Sequence, residues 1–586
     1  MPGATAVHVL GAVAEYLPHA GVVRIGSLRI DTSSVDPKLM AGLTVGVMLI
    51  PQGMAYAMLA GLPPVYGLYA STVPLIIYAF FGTSRHLSVG PVAIDSMMVA
   101  AGVGAMALAG SPEYISLAIT LALLVGFIQF TFGAFRLGFL INFLSRPVIL
   151  GFTSAAAIII GLSQFELMLG INVQDEQLLH EIIQSLVAGL AHIHLLTLII
   201  GVGGIITLLL LKRFMPFFPG PLFLVIVTTL LVSAFDLHLL GVDIIGFVPA
   251  GLPGAVIPHI NFEIIKKLLP TAGAIALISF MESIAVARAL QAKHKTYKVI
   301  SNKELIAIGM ANMAGSVFKS FPVSGGFSRS AVNEMAGART GMASIISAVL
   351  IVATLLFLTP LFYFLPKAIL ASIILVAVSR LIHLKETKYL WIVERKDFLM
   401  MMITFAGTLF LGIGTGIGIG VGLSLAWIIF EASYPHHAEL GRIPGTHTFR
   451  NIKRFKDLNV DDDVLIFRFD APLFFANVNR FRELLIEYQH LRSTKLKAVI
   501  IDMESINTID TTAIHVFADT VEEIRSQGIL FLIAEAKGPV RDRMHLSGFT
   551  QKLGEEHFFV TIEEALDFVA GTRKESGLNV ALQVNK

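Results

Sequence analysis

Two stretches of the chain, roughly 230 residues apart, interrupt apolar sequence in the same way: Ser88-Val89-Gly90-Pro91-Val92-Ala93 and Val323-Ser324-Gly325-Gly326-Phe327-Ser328-Arg329-Ser330. Gly and Pro breaks at corresponding places in two halves of an apolar chain predict helices that begin inside a membrane. A helix start leaves backbone N–H groups without intrahelical acceptors, and with the helix dipole these attract an anion. The second break adds a cation, Arg329, among Ser324, Ser328 and Ser330. The chemistry expected is therefore the holding of an anion at mid-bilayer. The plainer alternative is that Arg329 sits at a helix end and snorkels to water.

Other polar residues at membrane depth extend this reading. Glu282 lies in Ile278-Ser279-Phe280-Met281-Glu282-Ser283-Ile284-Ala285, with no neighbouring cation before Arg288. A charge at that depth costs about 2.5 kcal/mol or more, so such a residue is a functional candidate by default, here as a proton carrier. A structural salt bridge, to Arg329 for instance, is the alternative. Gln52 and Tyr56 are four residues apart and share one helix face, where they either meet a ligand or pack through a hydrogen bond. Asp95 falls in the first turn or two after Pro91, a position that suits a carboxylate near a helix start, and no firm role follows from that.

Composition excludes most other classes. Of 586 residues 55% are hydrophobic and 14% charged, with a mean hydropathy of +0.77, against about 25% charged in ordinary soluble domains. This is a membrane protein. A net charge of +2 gives no argument for nucleic-acid binding, and the absence of cysteine excludes disulfides and cysteine-ligated metal. No hydrolase elbow, phosphate loop or metal-ligand spacing is present, so neither an enzyme nor a cofactor is expected.

Residues 1–37 lack the basic start, apolar centre and cleavage site of a signal peptide and read as a cytosolic N-terminal segment. From 38 to 433 apolar runs follow one another, with clear spans at 115–134, 192–211, 221–237, 344–359 and 397–413. Others are bent by Pro51, Pro91, Pro147 or Gly325-Gly326. The reading is about fourteen transmembrane segments in two sets of seven. The first four of each set carry the polar breaks and form a substrate-carrying core, and the plainer last three form a scaffold. Connectors rich in Lys and Arg, such as Arg288 to Lys303 and Arg380 to Lys396, alternate with poor ones near Glu113 and Gln174-Asp175-Glu176. The positive-inside rule then places both termini in the cytosol, with Lys266, Lys267 and Lys367 as exceptions.

After a linker at 434–450, residues 451–571 alternate strand and helix: strands at 464–469, 497–503 and 529–534, helices at 478–491, 511–527 and 540–547. That order implies a small cytosolic α/β domain, followed by a flexible tail at 572–586. Asp510-Thr511-Thr512 stand where a helix cap is expected.

Ile50-Pro51-Gln52-Gly53-Met54-Ala55-Tyr56-Ala57, Gly61-Leu62-Pro63-Pro64-Val65-Tyr66-Gly67-Leu68-Tyr69, Gly82-Thr83-Ser84-Arg85-His86, Gly309 to Ser316 and Ser328 to Asn333 together resemble the SulP family of inorganic anion transporters. The C-terminal region, with Phe469 to Asn477 and Ile506 to Thr512, resembles the STAS domain that ends most members. The resemblance implies a seven-plus-seven inverted repeat, a homodimer in the plasma (inner) membrane, and transport of sulfate, bicarbonate or chloride by movement of a core against a gate. It implies substrate contacts from Gln52, Tyr56, Val92, Ser328 and Arg329. A carboxylate at Glu282 is shared with sulfate permeases that look like proton symporters. Sulfate with protons is the leading expectation. Sodium-coupled bicarbonate or dicarboxylate transport, exchange and a channel are the alternatives. Soluble relatives of the STAS domain are phosphorylated on a hydroxyl at the Asp510-Thr511-Thr512 cap; Ala513 replaces a common glycine there, so docking of a cytosolic partner or a dimer contact is expected in place of phosphorylation.

Overall fold

The computed structural model describes residues 22–25, 28–31, 36–139, 145–171, 179–215, 218–258, 261–294, 296–492 and 495–571. The connector at Gln174-Asp175-Glu176, Lys295, the tail 572–586 and most of the N-terminal segment lie outside them. The chain divides into two compact units, Met1–Ser424 and Leu425–Lys586.

The first unit opens on an antiparallel hairpin, β1 (Val22–Ile25) and β2 (Leu28–Asp31). The first helical set follows: α1 (Pro37–Leu59), α2 (Val65–Tyr69), α3 (Val73–Phe81), β3 (Val89–Gly90), α4 (Ala93–Gly104), α5 (Pro112–Ala134), α6 (Arg146–Leu169), α7 (Leu179–Gly189), α8 (Leu195–Phe214) and α9 (Gly220–Ala234). The second contains α10 (Phe262–His294), α11 (Ser301–Val317), β4 (Ser324–Gly325), α12 (Phe327–Met335), α13 (Met342–Ala353), α14 (Lys367–Val378), α15 (Leu384–Val393), α16 (Arg395–Leu411) and α17 (Ile413–Ser433). Among the described residues, counting α2 with α3 as one crossing and setting the short α7 and α15 aside, fourteen segments stand in two sets of seven. Among the described residues six helices are long and apolar enough to cross a bilayer outright. One of the six is α13, which reaches that length by running on through a π turn and a 3-10 turn to Phe362, whereas α4, α9 and α14 are shorter apolar helices.

Local chemistry sets these boundaries. Asp36 caps α1 by accepting from the Lys38 amide at 2.9 Å, with Pro37 in the first turn, and Ser111 with Pro112 does the same for α5. The first four and the last three segments of each set pack differently. α1 lies on α13, and α5 on α11, with α3 and α10 closing the same body. There backbones touch: a side chain at Gly67 would put Cβ 1.8 Å from the carbonyl oxygen of Gly53. Small residues at helix crossings are how membrane bundles gain close contact without a hydrophobic drive. The other body joins α6 to α16 and α14, and α14 to α8. Its α8 exposes Ile199, Val202, Ile206, Leu209 and Leu210, the face that lipid would cover.

The second unit holds an α/β region that follows α17. Its sheet has six strands: β5 (His437–Arg442), β6 (Phe449–Asn451), β7 (Val464–Phe469), β8 (Ala498–Asp502), β9 (Leu530–Ala534) and β10 (Phe558–Phe559), in the order β10-β9-β8-β7-β5-β6. β7 to β10 are parallel, and β5 runs antiparallel to β7. Here the expectation is corrected: β5 and β6 lie in the stretch expected as a linker. Ala438 and Leu440 alternate into the sheet's core, and that short period-two pattern identifies a strand. Helices α18 (Val478–His490), α19 (Thr511–Ser526), α20 (Gly538–Leu546), α21 (Phe549–Leu553) and α22 (Ile562–Val569) complete the unit. Phe467, Phe481, Phe517 and Phe531 fill one side of the sheet, and Ile466, Ile500, Leu532 and Ile562 the other. Asp510 caps α19 as expected, accepting from Ala513 at 2.7 Å and from the Phe475 amide at 2.9 Å.

Asp502 ends β8 at 2% exposure and accepts from the Glu504 amide at 2.9 Å. Burial, with the charges of Glu535 and Glu504 beside it, pushes its carboxyl up to about 6. The folded unit therefore holds a proton that the unfolded chain releases from pH 3.8 upward, and stability falls as pH rises from there to about 6. Asp502→Asn removes that cost, of order 2–3 kcal/mol above pH 6. The melting temperature of the 434–571 unit should rise on substitution at pH 7.5 and change little at pH 4; an equal change at both would show that the carboxyl carries no such cost.

Candidate anion-binding site

The two breaks meet. β3 and β4 pair antiparallel, Val89 opposite Gly325 and Gly90 opposite Ser324, and the Gly326 amide donates to the Ser88 carbonyl at 3.0 Å. The pairing brings the starts of α4 and α12 together, one from each helical set. Ser330 Oγ accepts from the Ser88 amide at 2.9 Å and donates to the Gly326 carbonyl at 2.7 Å, stitching the second half-helix to the first break.

Arg329 lies in this junction at 3% exposure. Its Nη1 donates to the Pro91 carbonyl at 2.8 Å, while Nε and Nη2 are buried without a hydrogen-bonding partner. One bond therefore anchors the guanidinium across the junction and leaves the rest of its fork to give. Snorkelling to water is not what this side chain does. Gly326 is required beneath it, since a Cβ there would stand 2.7 Å from Cζ and Nη2.

The other expected residues are placed as follows. Tyr56, on α1, is within electrostatic range of Arg329. Gln52 is half-buried one turn earlier, and Val92, half-buried, precedes α4 beside Pro91. Ser328 is exposed on the first turn of α12. Glu282, on α10, is half-buried with Oε2 out of reach of any hydrogen-bonding partner, and it interacts electrostatically with Asp95. Neither carboxylate hydrogen-bonds to Arg329, so the alternative of a structural bridge from Glu282 is not realised.

Several residues that hold this arrangement carried no signal of their own in the sequence. Ser283 Oγ accepts from the Gly325 amide at 2.8 Å and donates to Ser279. Asn312 accepts from the Val323 amide at 2.8 Å and donates to its carbonyl at 3.0 Å and to Gln129 at 3.1 Å; Gln129 in turn donates to Ser279 Oγ at 2.6 Å. Glu304, fully buried, takes bonds from Tyr78 Oη at 2.7 Å, from the Thr83 amide and hydroxyl at 2.6 and 2.5 Å, and from the Ser84 amide at 3.0 Å. It fixes the turn that leads into β3. Asn312 and Ser330 lie inside stretches singled out in the sequence, whereas Glu304 and Gln129 read there as ordinary helix residues.

Residues 36–404 match the sulfate permease family and residues 455–565 match the STAS domain. Sulfate transporter 4.1 of Arabidopsis thaliana, a chloroplastic protein, is 39% identical over 545 residues, covering 90% of this chain and 79% of its own length. A probable sulfate transporter of Mycobacterium tuberculosis is 34% identical, covering 90% and 94%. The murine solute carrier 26 family member A9, an anion transporter solved facing inward, superposes with a TM-score of 0.86 at 26% identity, covering 96% of this chain and 95% of that one. With the family profile spanning well over half its length and its two broken helices joined at a buried arginine, the chain belongs to the sulfate permease family.

Proposed function

We propose that the protein carries sulfate across a membrane together with protons. The observation that carries this reading is the buried Arg329 fork, anchored by one bond to Pro91 and otherwise unpaired between two half-helix starts. A tetrahedral oxyanion matches it: guanidinium donors form charge-assisted, paired bonds, and the helix starts add backbone donors and a positive dipole. Gln52 and Ser328 would donate from opposite sides, with Tyr56 and Val92 shaping the walls. Relatives named as sulfate transporters support the choice of anion, and matches to transporters throughout point away from enzymatic chemistry.

Coupling is assigned to Glu282, because a dianion added to a low-dielectric site needs its charge offset. The body holding α4 and α12 would carry the site past the gate formed by α6, α8, α9, α14, α16 and α17. Basic connectors favour cytosolic termini. The working unit would be a homodimer in the plasma membrane, with the STAS domain serving assembly or partner docking rather than selectivity.

Labelled sulfate uptake into proteoliposomes, with proton and sodium gradients imposed separately, tests the reading. Arg329→Ala should abolish saturable uptake with insertion intact; undiminished uptake at low sulfate removes Arg329 from the site. Gly326→Ala should insert in the membrane, because the atoms nearest its Cβ are those of the Arg329 guanidinium rather than backbone, yet bind sulfate about tenfold or more weakly because that guanidinium must shift. Wild-type uptake should rise as external pH falls. Glu282→Gln, fixed in a protonated-like form, should lose accumulation driven by the proton gradient while keeping exchange of one anion for another. If that variant still concentrates sulfate in response to pH, Glu282 is not the proton carrier.

A further inference from the structure

Asp95 is fully buried, and neither of its carboxylate oxygens meets a hydrogen-bond donor. It occupies the third position of α4, where an acidic side chain ordinarily folds back to satisfy the unpaired amides of the first turn. Asp95 does not do so. The charges of Arg329 and Glu282 face it instead, and the Ser324 hydroxyl stands beside it, near enough to approach it but without the geometry of a formed hydrogen bond. A carboxylate placed in a membrane core and given no structural work is costly to keep.

The charges around it can be followed element by element. Of the elements packed against α4, α10 brings Glu282 to Asp95; Arg329 of α12 acts on Asp95 by charge, and Tyr56 of α1 acts in turn on Arg329. Glu166 of α6, Lys367 of α14 and Tyr114 of α5 line a different cavity with Leu62, Gly104 and Leu108, at the far end of α4. The anion site thus contains one guanidinium and two carboxyls. With both carboxyls ionised its net charge is minus one, and a bound dianion would make it minus three. One proton leaves it more negative than before loading. Two restore the starting charge, so the site crosses the bilayer in the same charge state loaded or unloaded.

On this basis we infer that Asp95 is a second proton-carrying residue beside Glu282, and that each sulfate loads with two protons, one per carboxyl. The inference rests on the proton-coupled reading proposed above. Sulfate keeps both negative charges, each carboxylate gains one proton on loading and releases it on the other side, and the cycle moves no net charge.

The test is sulfate accumulation by the full-length protein in proteoliposomes, with the membrane potential clamped at zero and the inside one pH unit more alkaline. Two coupled protons allow the wild type to concentrate sulfate about 100-fold, and one proton about tenfold. Asp95→Asn should fall to the tenfold limit and become sensitive to membrane potential, to which wild-type uptake is indifferent. Asp95→Glu, which keeps a titratable carboxyl, should restore the larger ratio and guards against a merely misfolded Asn variant. A wild-type limit of tenfold, or an unchanged 100-fold limit in Asp95→Asn, overturns the role of Asp95 and leaves one-proton symport, or another second carrier, standing. Loss of all transport in both Asp95 variants also overturns it, marking Asp95 as structural. A wild type indifferent to the proton gradient overturns both this inference and the symport reading beneath it.

Discussion

The pairing of two short extended segments, Val89–Gly90 with Ser324–Gly325, is the constraint from which the rest of the transport unit follows. Extended backbone inside a bilayer must satisfy its amides and carbonyls within the protein. These segments do so against each other and against side chains from α10, α11 and α12. Because they run antiparallel, the helices that leave them start close together, and their unpaired amides accumulate at one place. Arg329 closes the junction with its bond to Pro91. Glycines such as Gly53 and Gly67 let helices of the same body touch backbone to backbone.

What the sequence disclosed follows from which physics leaves a local trace. Glycine-proline breaks, apolar runs and the hydroxyl cluster around Arg329 are local, and the broken helices and the cation between them were legible from them. The strands and helices at 464–547 were legible within a residue or two, because buried β-branched runs and amphipathic helices have distinct periods. β5 was not, since a six-residue segment with only Ala438 and Leu440 as inward apolar residues carries little of that pattern. The bonds of Glu304 and Gln129 were not legible either. They join residues about 150 and 220 positions apart, and nothing in their own neighbourhoods marks them.

Burial is used in opposite ways in the two units. In the membrane body, polar side chains such as Asn312, Ser283 and Glu304 are buried with several partners each, and they position backbone. Arg329, Asp95 and Glu282 keep polar atoms without partners, which is where binding energy can be gained when a ligand or proton arrives. In the α/β unit the sheet is sealed by phenylalanines on one side and aliphatic residues on the other. Its conspicuous buried acid, Asp502, sits at a strand end beside Glu504 and Glu535.

Glu304 also bears on how the protein is made. The turn that aims the first broken helix is held by a carboxylate belonging to the second helical set, more than 200 residues later. While the ribosome is still producing the first set, Tyr78, Thr83 and Ser84 have no such acceptor, and β3 has no strand to pair with. The first set therefore enters the bilayer with its polar break unfinished. Biogenesis must shelter that break until α10 to α12 arrive, and a chain truncated before them would retain its hydrophobic helices but not half of a working site.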